Sequence, residues 1–165
     1  MNIILQLGQY APLIVIIIAT LKQYHIQSSE HLSILALLLM DILIINPVFK
    51  IIMGAIGIDN QRPMYMNQKP INTSTLFSKF ERLGMPSGHM EVCSIYLSYL
   101  YHYARNEKLL GISLVWLIFG LTIITGYQRV ATKKHSVSQV IMGFITGWLL
   151  GKYLPQMIID KIENK

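Results

Sequence analysis

The chain has 165 residues, of which 53% are apolar and 13% charged, whereas about 25% of the residues of an average soluble domain are charged. This composition argues against a soluble protein and favours a membrane protein, with a length that fits one domain over residues 1–165. The net charge of +6 is not gathered into a basic stripe, so it predicts contact with anionic membrane lipids and no binding of nucleic acid.

Five apolar segments follow one another along the chain, at about 3–21, 32–58, 86–104, 109–126 and 135–154. A hydrocarbon core of about 30 Å needs about 20 helical residues. We therefore predict an all-α integral membrane protein with a bundle of about five transmembrane helices. Pro47 is expected to distort the second segment, which is the longest. For the third segment, which is rich in tyrosine, an interfacial helix is the alternative.

Five consecutive crossings bring the end of the second segment, the start of the third, the end of the fourth and the start of the fifth to one side of the membrane. These ends carry Arg62, the stretch Pro86-Ser87-Gly88-His89, Arg129 and His135. The long connection 59–85 lies on the same side and is predicted to handle the substrate. Basic residues outside the helices are divided almost evenly between the two sides, so the positive-inside rule sets no orientation.

Residues on this side supply what phosphoryl transfer requires, namely cations, amide donors, a nucleophile and an acid. Arg62 and Arg129 offer planar forks for phosphate oxygens, and Lys50 offers a point charge. Pro86 suits the first turn of a helix, so the amides of the next two residues, Ser87 and Gly88, are expected to form an anion cradle. The sequence has no cluster of side chains with metal-ligand spacing, so we predict no metal and no cofactor.

Two histidines are candidates for the chemical steps. Placed at the start of the fifth helix, His135 and Gln139 are four residues apart and share a face, so the Gln139 carbonyl is expected to accept a proton from one imidazole nitrogen. The other nitrogen of His135 is then free to attack phosphorus. His89, at the start of the third helix, is placed to protonate the leaving oxygen.

Small residues continue the same helical face beyond His135. Gly143, Gly147 and Gly151 recur at intervals of four and should let a neighbouring helix approach closely, with His135 facing the bundle interior. Glu91 is expected at the headgroup boundary, outside the catalytic set. Asp41 lies near the middle of a span, where it is either a relay or, as we favour, a packing or protonated carboxyl.

The order of these motifs resembles a known family. Arg62-Pro63, then Pro86-Ser87-Gly88-His89, then Arg129 and His135, is similar to the three-part signature of the type 2 phosphatidic acid phosphatase superfamily, which also contains vanadium haloperoxidases. The resemblance covers about 50–139. It implies that His135 is the nucleophile and His89 the acid. It also implies that the phosphate is held by five residues: Lys50, Arg62, Ser87, Gly88 and Arg129.

The chain departs from that family in three places. Eleven residues separate Lys50 from Arg62, more than is usual, so either this stretch contains an insertion or Lys50 is not the phosphate lysine. Gln128 replaces the usual serine before the second arginine, and Gln139 replaces the aspartate that normally orients the nucleophile. The segment 135–140 nevertheless looks like that of dolichyldiphosphatases, in which glutamine also occupies this place, and this favours a polyprenyl diphosphate as substrate.

The leading hypothesis is a multi-pass phosphatase of an endoplasmic-reticulum-type or other cellular membrane. It would hydrolyse a lipid phosphate or a polyprenyl (dolichyl-like) diphosphate through a phosphohistidine. A neutral amide at Gln139 cannot stabilise an imidazolium by charge, so a catalytically silent lipid-binding member of the same fold is the alternative. A small channel or transporter, argued from Asp41, is a third. The sequence makes no prediction of oligomeric state.

Overall fold

The structure is a computed structural model that describes residues 3–26, 29–56, 61–63, 83–103 and 108–163, most of which are helical. Helix α1 spans Ile3–Ile26, and α2 (Ser29–Met40) continues through a π-helical segment, Asp41–Ile45, into α3 (Asn46–Ala55). Helix α4 spans Gly88–Tyr103, α5 spans Lys108–Ala131 and α6 spans Val137–Glu163. The extended pairing in this part of the chain is one isolated antiparallel bridge between Gln61 and Leu83.

Three of the described helical stretches are long and apolar enough to cross a membrane: Ile3–Ile26, Leu32–Ala55 and Ile112–Ala131. Their outward faces carry large apolar side chains, such as Leu43, Trp116 and Ile17, which are about half exposed or more. A face of this kind suits lipid, because lipid tails solvate it without cost. The prediction of an all-α membrane protein is confirmed.

Helix α4 lies at the centre of the bundle and packs against α1, α5 and α6. Every residue from 91 to 100 is buried, including the large side chains of Tyr96 and Tyr99. A helix that is buried on all sides needs no amphipathic pattern, and an interfacial helix would leave one face open. The interfacial alternative for this segment is therefore wrong.

The small residues of α6 form a close seam with α4, as predicted. A Cβ atom added to Gly143 would overlap the backbone of Ser87, and one added to Gly151 would overlap the backbone of Ile95. Gly147 meets the backbone of Glu91 in the same way. Only glycine allows two helices to approach so closely at these points.

Several helix ends differ from the sequence prediction, and two of these differences affect the site. Helix α5 continues to Ala131, which places Arg129 in its last turn. Helix α6 begins at Val137, so His135 precedes the helix instead of lying on it. At its other end α6 passes through Pro155 and reaches Glu163, because neighbouring groups in a membrane bundle accommodate the missing N–H of a proline.

The predicted distortion at Pro47 takes the form of a π turn. A proline within a helix lacks an N–H and crowds the carbonyl four residues earlier. The π segment ends just before it, where the N–H of Asn46 bonds to the carbonyl of Asp41, five residues back. The extra residue in this turn changes which side chains of α2 and α3 share a face.

Candidate active site

A cavity of about 340 Å³ opens where the predicted second and fourth helices end and the third and fifth begin. Six of the eight predicted site residues line it, while Ser87 and Gln139 do not. The lining side chains are Pro12, Asp41, Ile42, Asn46, Lys50, Arg62, Gly88, His89, Val92, Arg129 and His135. The cavity therefore combines three cations, two imidazoles and a few apolar groups.

The backbone carbonyl of Gly84 orients the imidazole of His135. Nδ1 of His135 lies 2.8 Å from that oxygen, and a carbonyl oxygen can only accept, so Nδ1 carries the proton. The other nitrogen, Nε2, then holds the lone pair. His135 is 2% exposed and lines the cavity, which gives a buried, neutral imidazole with a fixed tautomer.

The electrostatic field at His135 also favours its neutral form. Burial, together with the positive charges of Arg129, Arg62 and Lys50, lowers the pKa of His135 to about 3, although the bond to Gly84 opposes this. Burial and the same two arginines lower the pKa of Lys134 as well. A site with an excess of positive charge destabilises further protons and attracts a phosphate dianion.

The prediction that Gln139 orients His135 is wrong. The side-chain oxygen of Gln139 accepts a hydrogen bond from the N–H of Ser136 at 3.1 Å, and its side-chain nitrogen donates to the carbonyl of Gln61 at 3.0 Å. The reason is the helix boundary, since the rule for residues four apart on a helix does not apply to His135, which lies before α6. Gly84 performs the orienting role instead.

Gln139 belongs to a capping box, and the sequence contains this signal. Ser136 caps α6 by accepting a hydrogen bond at its hydroxyl from the N–H of Gln139 at 3.3 Å, while the Gln139 side chain bonds back to the N–H of Ser136. The stretch Ser136-Val137-Ser138-Gln139 matches the pattern of Ser, two residues and Gln that starts many helices. This pattern on its own indicates that the helix starts after Ser136 and that His135 lies outside it.

Through the same side chain, Gln139 holds both ends of the long connection 59–85. It binds the carbonyl of Gln61, and a Cβ atom added to Gly84 would overlap its amide group. Gln61 and Leu83 form the bridge that pairs the two ends, and Arg62 Nε donates to the carbonyl of Leu83 at 3.2 Å. Gln139 thus acts on His135 and Arg62 indirectly, through the backbone segments that carry Gly84 and Arg62.

Arg129 is tied to His135 by the turn after α5. The N–H groups of Lys134 and His135 both donate to the carbonyl of Arg129 at 3.1 Å, and Lys133 adopts a left-handed conformation with φ of 54° that reverses the chain. Arg129 is 4% exposed, and its Nε has no hydrogen-bond partner in the described part of the chain. A buried guanidinium with such an open donor suits an anionic ligand.

Lys50 lies in the cavity in spite of its long interval to Arg62. It is 7% exposed and lines the same cavity as Arg62 and Arg129. The long sequence interval therefore does not prevent the three cations from lining one cavity.

A comparison with protein-family models agrees with this geometry. The model described as the PAP2 superfamily matches residues 30–163, which is most of the chain and includes every site residue discussed above. The chain belongs to the PAP2 superfamily. No curated protein and no solved structure matches the chain closely enough to add to this result. Membership supports a phosphatase-type fold, and the resemblance inferred from the motifs is confirmed.

The anion cradle of this PAP2 chain differs from the one predicted from its sequence. The N–H of Ser87 is already used, because it donates to the carbonyl of Gln139 at 3.1 Å. Ser87 instead caps α4 through its carbonyl, which accepts from the N–H of Glu91 at 2.9 Å. Its hydroxyl is buried without a hydrogen-bond partner among the described residues. Ser87 does not line the cavity, so the donors that can face a phosphate there are the first amides of α4, from Gly88 onward.

Asn46 was not singled out in the sequence, yet it fixes the start of α4. Its side-chain nitrogen donates to the carbonyl of Pro86 at 3.4 Å and to Glu91 Oε2, and its oxygen would be 3.0 Å from a Cβ atom on Gly88. Glu91 is fully buried, so its expected position at the headgroup boundary is wrong. The Glu91 side chain points away from His89, and it enters the bundle because α4 has no lipid-facing side near its start.

The structure describes only part of the long connection 59–85, and it shows where His89 lies. The connection 59–85, predicted to handle the substrate, lies outside the described residues except for 61–63 and 83–85. His89, predicted as the acid, is the second residue of α4 and lines the cavity together with His135. In the described part of the chain no group of three or more His, Cys, Asp and Glu side chains is arranged to hold a metal ion.

Proposed function

We propose that this PAP2 protein is a multi-pass membrane phosphatase, with five crossings, that hydrolyses a lipid phosphate or a polyprenyl diphosphate without a metal ion. A phosphohistidine on His135 is the intermediate. The observation that carries the proposal is the bond from His135 Nδ1 to the Gly84 carbonyl, because it leaves Nε2 unprotonated in a cavity that holds three cations.

In the first step, Lys50, Arg62 and Arg129 neutralise the non-bridging oxygens of the phosphoryl group. Nε2 of His135 attacks phosphorus while the bond from phosphorus to the leaving oxygen breaks. His89, entering this step protonated by the bound anion's charge, gives its proton to that oxygen. The products are phospho-His135 and a lipid alcohol or a lipid monophosphate.

In the second step, water replaces the lipid product. His89 is now neutral and accepts a proton from the water as its oxygen attacks phosphorus. The bond between phosphorus and Nε2 breaks, and the electron pair returns to His135. Inorganic phosphate leaves, and the proton remaining on His89 prepares the site for the next cycle.

The carbonyl of Gly84 also answers the argument for a silent relative. The silent alternative assumed that Gln139 stands beside the nucleophile in place of a carboxylate. In this chain the tautomer of His135 is fixed by a backbone oxygen, which also stabilises the Nδ1 proton as positive charge develops on the ring. The missing aspartate thus does not imply a loss of activity.

Lipid substrates are favoured by the walls of the cavity. Pro12, Ile42 and Val92 line it together with the cations, and the first two belong to helices that are able to cross a membrane. A headgroup can reach the cations while its tail remains among apolar residues. The resemblance of the segment 135–140 to dolichyldiphosphatases favours polyprenyl diphosphates within this class.

The test is hydrolysis by purified protein in detergent, with phosphatidate and polyprenyl diphosphates as substrates and a chelator in excess. We expect phosphate release that His135→Ala removes. The matched control is Ser98→Ala, which deletes a buried hydroxyl that bonds to the carbonyl of Trp148 far from the site, and it should remain active. Folded protein that releases no phosphate from any of these lipids, or that requires added magnesium, would contradict the proposal.

A further inference from the structure

Asp41 is a buried carboxyl in the wall of the catalytic cavity to which the proposed mechanism gives no role. It is 0% exposed and lines the same cavity as the three cations and the two histidines. Both of its side-chain oxygens are buried and have no hydrogen-bond partner among the residues that the structure describes. An unsatisfied polar group at such a place points to a ligand.

The π turn puts Asp41 on the cavity side. In the segment Asp41–Ile45 the backbone bonds span five residues, as from Asn46 N–H to the Asp41 carbonyl. Residues five apart therefore lie nearly above one another in this turn, whereas on an α-helix they would face different ways. Asp41 thereby joins a row with Asn46 and, four residues later, Lys50, and all three line the cavity.

A carboxyl in this environment is protonated while the cavity is empty of substrate. An ionised carboxylate without a partner is costly in a membrane interior, and it takes up a proton instead. A neutral carboxyl has one O–H to donate.

Asp41 lies on the side of the cavity where the leaving group must be. Eight residues lie between it and Lys50 along the helix, and the nine steps correspond to roughly 13 Å at about 1.5 Å per residue. Asp41 also lies nearer than Lys50 to the middle of the spanning stretch Leu32–Ala55, the direction in which a lipid tail extends. Since the leaving group carries the lipid tail and lies in line opposite the attacking group, we expect it on the side of the cavity that Asp41 lines.

The cavity has room for more than one phosphoryl group. Its volume of about 340 Å³ corresponds to about eleven water molecules at about 30 Å³ each. We propose that protonated Asp41 donates a hydrogen bond to an oxygen of the leaving phosphate, and so selects lipid diphosphates over lipid monophosphates. This inference rests on the proposed function and narrows its substrate class.

The test compares two lipids with the same tail, farnesyl diphosphate and farnesyl monophosphate. Asp41→Leu removes the donor and should lower the ratio of kcat/KM for diphosphate to kcat/KM for monophosphate by about tenfold or more, which corresponds to about 1.4 kcal/mol. Asp41→Asn keeps a donor of the same shape and should change the ratio by less than about threefold, or about 0.65 kcal/mol on the same scale. Thr122→Val is the control, because this buried hydroxyl bonds within α5 and does not line the cavity.

A second arm measures binding of the same two lipids to variants that also carry His135→Ala. This arm works even if the protein hydrolyses nothing, so failure of the proposed function and failure of this inference are distinguishable. The preference for diphosphate should persist with Asp41→Asn and disappear with Asp41→Leu. An unchanged preference in Asp41→Leu would overturn the role of Asp41. Equal loss in Asp41→Asn and Asp41→Leu would show that a carboxylate is needed, and would overturn the protonated donor.

Discussion

At both ends of the seam between α4 and α6, a glycine of α6 lies against the backbone of α4. Gly151 meets Ile95 at the end far from the cavity, and Gly143 meets Ser87 at the catalytic end. At the far end the cross-links are side-chain hydroxyls on backbone carbonyls, as from Ser98 to Trp148 at 2.8 Å. At the catalytic end the cross-link is backbone to backbone, from Ser87 to the Gln139 carbonyl at 3.1 Å.

The difference shows that close packing of α4 and α6 at glycine has a different role at each end. Far from the cavity, close approach of the helices only stabilises the bundle. At the catalytic end the same approach fixes Ser87, which directly precedes Gly88 and His89, the first residues of α4 and part of the cavity wall. Substitutions of the same kind at the two ends should therefore cost similar stability but differ in their effect on catalysis.

The largest expected effect at the catalytic end follows from Gln139→Ala. Loss of the side chain frees the backbone at Gln61 and Gly84, so turnover should fall about tenfold to a thousandfold, at about 1.4 kcal/mol per tenfold. Gln139→Glu is the matched variant, because it keeps the length and the acceptor for Ser136 but cannot donate to Gln61 when ionised. It should also lower turnover, and steady-state kinetics on a polyprenyl diphosphate measures both.

Gln139→Asp sharpens this prediction. Direct contact between residue 139 and His135 would let an aspartate raise activity. In the structure an aspartate is too short to hold Gln61 and has no proton to donate, so activity should fall. A rise in kcat for Gln139→Asp would contradict the role that we assign to Gly84.

The comparison of Gly143→Ala with Gly151→Ala tests the two ends of the seam directly. Both add a methyl group where the backbone of α4 leaves no room, which typically costs about 1–3 kcal/mol of stability. Thermal unfolding in detergent should show similar losses. Only Gly143→Ala should also raise KM or lower kcat, by about tenfold. Equal kinetic effects in the two variants would mean that the catalytic end has no special role.

The last effect concerns the stability of the folded protein against acid, and His135 is the group responsible for it. Its pKa is about 3 in the folded protein and about 6.5 when unfolded, so the unfolded chain binds the extra proton first as pH falls. The stabilisation is complete above about pH 6.5 and is lost as pH falls through 3, by at most about 1.4 kcal/mol per pH unit. Melting temperatures from pH 7 to pH 4 should thus fall more steeply for the unmodified protein than for His135→Asn. Parallel curves would contradict a buried, neutral His135.

Much of the fold could be predicted because its signals are local in the sequence. Apolar length predicts membrane helices, and glycines at intervals of four predict the seam. The family signature depends on residue order, so it survives an altered interval between Lys50 and Arg62. Helix ends were harder to predict. The error at the start of α6 led directly to the wrong partner for Gln139, although Ser136 and Gln139 form a recognisable capping box.

Other site features depend on packing that no single segment encodes. The burial of Glu91 follows from the central position of α4, which the pattern of α4 alone does not reveal. Gly84 acts through a backbone carbonyl, and any residue type carries one. The π turn that brings Asp41 to the cavity could be suspected from Pro47, but its exact span depends on the helices around it.

The central claim is that His135, oriented by the Gly84 carbonyl, carries the phosphoryl group. The most direct measurement is to quench the protein during turnover of a substrate labelled in its terminal phosphate, under alkaline conditions that preserve phosphohistidine, and to locate the label by peptide mass spectrometry. His89→Ala removes the base of the second step, so label already on His135 should be lost more slowly in this variant, although loss of the acid also slows its transfer to His135. The account predicts label on His135 and none in His135→Ala. Label on His89 or on another residue would contradict it. Turnover by the unmodified protein and by His89→Ala without any labelled protein would also contradict it.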